Sequence, residues 1–201
     1  MRIFLLVISY LFHPLFVPMA GACCYFIVTP KYSAARLEQG TVLPIFILTV
    51  VIPIITYFIL RNVGLADSVF LSSINKRKYP LFIQIILLLI VIYQIVPKLY
   101  AIELHFYFLG LVIAALSALL LVYLKVKASL HLMGMGGLFM FMVCLSIHFA
   151  INITLALSIF TLLTGLVATS RLYLKAHSKG EILIGFLIGS LAQLMLVRFW
   201  L

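Results

Sequence analysis

The chain has 201 residues, 66% of them hydrophobic and 9% charged, and a formal net charge of +10; its mean hydropathy is +1.33. So few charges do not cover a water-soluble domain, and cations scattered among short loops fit anionic headgroups or phosphorylated ligands better than nucleic acid. The apolar runs are continuous rather than alternating, which argues against a membrane barrel and for a bundle of transmembrane helices.

A span needs about 20 apolar residues, and seven stretches qualify: 3–28, 41–60, 80–97, 104–124, 131–148, 152–169 and 181–200. The third is short, and the fifth and sixth are tightly linked. The expectation is therefore an all-α polytopic bundle of six or seven helices in one membrane domain. The first span is interrupted by His13-Pro14 and Pro18 and has no A-x-A-like cleavage site after it, so it is read as retained. Proline loosens a helix and frees carbonyls that His13 can satisfy; a gate or a substrate contact is the alternative for that residue. Cys23, Cys24 and Cys144 lie inside apolar runs with no metal spacing and are read as packing residues.

Three loops concentrate the cations: "NKRKYP" (Asn75–Pro80), "KVKASLH" (Lys125–His131) and the stretch "SRLYLKAHSKGE" (Ser170–Glu181). Two spans separate each loop from the next. An even number of crossings returns the chain to the same face, so all three loops should meet at one membrane surface. Glu103, His105 and His148 fall on the opposite surface by the same parity and are read as interfacial, as is Trp200. "GMGG" (Gly134–Gly137) is read as a close-packing segment.

In the last loop, His177 and Glu181 are i and i+4, and Gly185 and Gly189 continue the stripe. A carboxylate beside an imidazole fixes its tautomer and leaves the other nitrogen to attack. Arg171 offers a planar fork for phosphate oxygens, whereas Lys175 and Lys179 read as snorkelling side chains. Ser129 and His131 open a helix whose N-terminus suits an anion, although Ser129 also reads as a plain N-cap. With two histidines on one membrane face, one can attack phosphorus while the other protonates the leaving oxygen.

These residues resemble the type-2 phosphatidic acid phosphatase superfamily, whose motifs are K-x6-R-P, P-S-G-H and S-R-x5-H-x3-D. The third is matched by Ser170, Arg171, His177 and Glu181, with glutamate in place of aspartate. The second is matched in part, by Ser129 and His131 within "ASLH". The first is degenerate: Pro80 fits, Tyr79 and Ser72 stand where arginine and lysine belong, and Lys76, Arg77 and Lys78 are displaced substitutes. The resemblance covers Asn75 to Leu201 and the first two spans add little to it, so it implies N-terminal helices over 1–74 and a phosphatase-like core over 75–201. It implies a phosphatase-like core in which His177 is the nucleophile, forming a phosphohistidine, Glu181 orients it, and His131 is the general acid. Arg171, Ser129, Lys127 and a cation from Lys76, Arg77 or Lys78 would hold the phosphoryl oxygens, with no metal or other cofactor. The activity implied is hydrolysis of a lipid phosphate monoester or diphosphate, with membrane lipids as partners and no nucleic acid. Two other readings stand beside it: transfer of the phosphoryl group to another lipid, and a degenerate member that binds or moves anionic lipids.

Most cations fall on the surface carrying the three loops; Lys31, Arg36, Lys98 and Arg198 fall on the other. The positive-inside rule makes the loop surface cytoplasmic. Resemblance to bacterial enzymes of envelope lipids instead suggests an inner-membrane protein with a periplasmic site.

Overall fold

The computed structural model describes residues 1–30, 35–66, 74–96, 98–99 and 101–201, with the side chains of 35–39 excepted. Lys31, Ser72 and the Arg36 side chain lie outside the described residues. Among those described, the chain is all-helical, and seven helical segments are long and apolar enough to cross a membrane: 2–28, 40–62, 75–95, 102–123, 130–148, 154–173 and 179–197. Seven spans, not six, is therefore the count these segments support. Their ends differ from the sequence reading by a few residues. The sixth runs on to Tyr173, so Ser170 and Arg171 sit in its last turn rather than in a loop.

The first span is two helices, α1 (Arg2–Leu11) and α2 (Val17–Val28), joined through a 3₁₀ turn at Pro14–Phe16. The cause is Pro14. It has no N–H to donate, and it forces the residue before it out of the helical region; His13 is extended, at φ −64° and ψ 140°. Two more helices form the second span: α3 (Ala35–Phe46) and α4 (Ile52–Asn62), with a π turn at Ile47–Val51 between them. Pro53, in the first turn of α4, accounts for that irregularity, because its ring cannot donate back into the preceding turn. Next come α5 (Lys78–Ile90), preceded by a 3₁₀ turn at Asn75–Arg77, and α6 (Ile102–Tyr123). The last three are α7 (Leu130–His148), α8 (Thr154–Tyr173) and α9 (Lys179–Val197).

Helix α7 lies at the centre, packed against α9, α8, α2 and α6. Its approach to α9 is close because both helices carry glycines. A Cβ on Gly189 would strike the Met133 carbonyl, and one on Gly185 the Ser129 carbonyl. Below this crossing the core is aromatic: Tyr107 of α6 stacks on Phe141 of α7 with centroids 4.4 Å apart, and its hydroxyl donates to the Val17 carbonyl at 2.7 Å. Outward residues such as Leu155 and Leu162 of α8 are exposed and apolar, as a lipid-facing helix requires.

Candidate active site

The three cation-bearing loops are stitched together at one end of the bundle. Arg77 Nη1 donates to the Ala128 carbonyl at 2.8 Å, and Lys127 Nζ to the Ala176 carbonyl at 2.9 Å. The Ser129 N–H donates to the Glu181 carbonyl at 2.9 Å. The convergence argued from crossing parity is thus present as direct contacts. Its anchor is the short turn between α8 and α9, where Lys175 takes a left-handed conformation (φ 51°) and Ser178 caps α9.

His177 occupies this turn, buried, with Nδ1 2.6 Å from Glu181 Oε2. An ionised carboxylate only accepts, so Nδ1 carries the proton and Nε2 keeps its lone pair. Burial pushes the imidazole down, to about 4; the hydrogen bond to Glu181 opposes this, while Arg77, Lys127 and Arg171 reinforce it. His177 is therefore a neutral ring at pH 7, in the form that can attack an electrophile.

His131 sits in the first turn of α7, buried, and its Nε2 lies 3.1 Å from the Ser9 carbonyl. A carbonyl accepts, so Nε2–H is the donor there. Ser9 belongs to α1, a span the sequence reading set aside, and it organises this side of the site. Arg171 Nη1 donates to Ser9 Oγ at 3.0 Å. Ser170 Oγ donates to the Leu5 carbonyl at 2.7 Å, so in the 2.7 Å contact between the two serine hydroxyls Ser9 is the donor.

A cavity of about 300 Å³ opens beside these groups. His13, Arg77, His131 and His177 line its polar end. Pro53, Leu88, Leu111 and Ala115 line its apolar length, which reaches the middle of α5 and α6. The other expected site residues stand around it. Ser129 is buried as the N-cap of α7, its Oγ accepting the Leu132 N–H at 3.4 Å. Arg171 is held behind the cavity wall on Ser9. Lys78 leans over the Tyr123 ring, 4.7 Å from its centroid, and Lys76 is half-buried. Of the three clustered cations, Arg77 is the one that reaches the cavity wall. Lys175 and Lys179 are exposed, and Glu181 reaches the cavity only through His177.

Sequence reasoning missed Ser9 and set His13 aside. The available signal was the spacing of Ser9 and His13, i and i+4, two polar residues on one side of an apolar span. At the opposite end of the bundle the interfacial assignments change. Glu103 is fully buried, accepting from the Tyr25 hydroxyl at 3.1 Å and lying 3.2 Å from His148 Nε2. Trp200 is buried against Phe141 and His148 instead of anchoring at the interface. A carboxylate in a first helical turn has a cheap route into the bundle when a tyrosine and a histidine from other spans meet it there.

Comparison with known proteins finds no family model, no curated protein and no solved structure that matches the chain.

Proposed function

We propose that the protein is a membrane lipid phosphatase with a type-2 phosphatidic acid phosphatase-like core, hydrolysing a lipid phosphate monoester or diphosphate through a phosphohistidine on His177. The observation that carries this reading is the His177–Glu181 pair, poised with a neutral Nε2 at the polar end of an apolar cavity. A lipid substrate would lay its chain along Leu88 and Leu111 and bring its phosphate to Arg77 and the histidines. His177 attacks phosphorus, and the P–O bond to the leaving group breaks as the P–N bond forms. His131 acts as the imidazolium beside the phosphoryl anion: Nε2–H stays on the Ser9 carbonyl, the Nδ1 proton goes to the leaving oxygen, and a neutral ring remains. Water, deprotonated by the same ring, then cleaves the P–N bond and releases phosphate. Arg77 at the cavity wall, with Arg171 and Lys127 behind it, offsets the charge on the transferring group. By resemblance to bacterial enzymes of envelope lipids, we assign the site to the periplasmic face of an inner membrane, against the positive-inside count.

A second reading, a protein that binds anionic lipids without turnover, is favoured by one observation: His131 Nε2 is engaged by the Ser9 carbonyl instead of facing a leaving group. Phosphate release in detergent with EDTA, from a panel of lipid phosphates and diphosphates, separates the two. Turnover by wild type that vanishes in His177→Ala supports the phosphatase. No turnover in either, with lipid binding unchanged, supports the binder.

A further inference from the structure

The break in the first span has a chemical consequence. Non-helical backbone at membrane depth is tolerated where it is buried in protein or lines a cavity, and the His13–Phe16 break lines the cavity that also holds His131 and His177. Proline at 14 fixes His13 in an extended conformation and leaves its ring beside His131, centroids 5.3 Å apart and planes at 80°. The ring's Nδ1 accepts the Leu15 N–H at 3.2 Å. A nitrogen that accepts carries no proton, so the neutral ring bears its hydrogen on Nε2. The break thus holds an imidazole on the cavity wall as an N–H donor, in one tautomer, from a span outside the motif-bearing core.

We propose that His13 is a substrate-contacting residue, its Nε2–H donating to an oxygen of the phosphoryl group seated at the polar end of the cavity. The proposal rests on the reading that a phosphorylated lipid occupies this cavity. Within that reading it gives the N-terminal helices a part in recognition. Arg77 supplies charge from α5's leading turn, His177 the nucleophile from the α8–α9 turn, and His13 a neutral directional donor from the break between α1 and α2. A neutral donor adds orientation without further repulsion among the neighbouring cations.

Two substitutions divide the donor from the cap. His13→Asn keeps a side-chain oxygen for the Leu15 N–H, as asparagine does well at such positions, but does not reach where Nε2 stood. His13→Gln places an amide N–H at about that reach and gives up the cap. The full-length protein in detergent is titrated with inorganic phosphate and orthovanadate, with thermal unfolding and turnover of a phosphomonoester lipid followed in parallel. A donor to a charged oxygen predicts that His13→Asn weakens phosphate and vanadate binding about tenfold or more, at an unchanged unfolding temperature, and that His13→Gln recovers part of the loss. Wild-type affinity in a folded His13→Asn overturns the proposal and leaves His13 a backbone cap; absence of phosphate binding in wild type overturns it too. If His13→Asn does not fold, His13→Leu, which has neither donor nor cap, is compared with His13→Gln: affinity lost in the first and recovered in the second supports the donor, and equal affinity in the two overturns it. Binding that depends on His13 in a wild type with no turnover would sink the phosphatase and leave this contact standing. Turnover that ignores His13→Asn would do the reverse.

Discussion

At the scale of single residues, the chemistry turns on one nitrogen. Glu181 holds the His177 proton on Nδ1, so the lone pair on Nε2 is available at neutral pH. His177→Ala should lower turnover by roughly 10⁶-fold, the scale on which removing a nucleophile acts. His131→Ala should cost about 10²–10⁴-fold, as loss of a general acid does. Both are read from phosphate release at saturating lipid. The pH profile follows from His177 standing near 4 in the free protein. The protonated ring has no lone pair to attack with, so kcat/KM should fall as pH drops through about 4, well below the ordinary histidine range. Lys127→Gln removes a cation that disfavours the imidazolium, so its acid limb should move to higher pH. A limb that stays in place, or moves down, would contradict this assignment. The His177–Glu181 pair was legible in the sequence because its partners are four residues apart. The choice of Arg77 over Lys76 and Lys78 was not, since it depends on the rotation of a turn against α6 and α7. His13 and Ser9 were hidden for a related reason: the site residues they meet, His131 and Arg171, are more than a hundred residues away in the chain.

At the scale of elements, the crossing of α7 and α9 sets the separation of His131 from His177. Gly189→Leu would drive a side chain into the Met133 backbone carbonyl, which yields only if the helices part. It should destabilise the protein by about 1–3 kcal/mol or more and abolish turnover with both histidines intact, as seen by thermal unfolding and phosphate release. Gly165→Ala, on α8 with open space around its Cβ position, should leave both unchanged. At the other end, Glu103 joins α6 to α2 through Tyr25 and to α7 through His148. His148→Ala removes one hydrogen-bond partner of a buried carboxylate, a loss of about 1–3 kcal/mol. It should lower the unfolding temperature, and Glu103→Gln in the same chain should restore part of it. The close-packing role of the glycines was readable from their four-residue spacing. The burial of Glu103 was not: counting spans assigns a residue to a surface, but depth is decided by partners on other helices.

At the scale of the whole molecule, seven spans put both histidine-bearing turns on one face and the α7–α8 connection on the other. With Cys23, Cys24 and Cys144 replaced, single cysteines at Lys125 and Lys175 should react with a membrane-impermeant thiol reagent from the same side. A cysteine at Asn152 should react from the opposite one. In intact bacterial cells, labelling of the first pair supports a periplasmic site, and labelling of Asn152→Cys alone places the site in the cytoplasm. Whichever side it faces, the account requires the phosphoryl group to pass through His177, which means two displacements at phosphorus instead of one. The steric course of hydrolysis tests this most directly, using a phosphorothioate lipid made chiral with oxygen isotopes and hydrolysed in isotopically labelled water. Retention of configuration at phosphorus is the predicted result; inversion, the mark of direct attack by water, would contradict it.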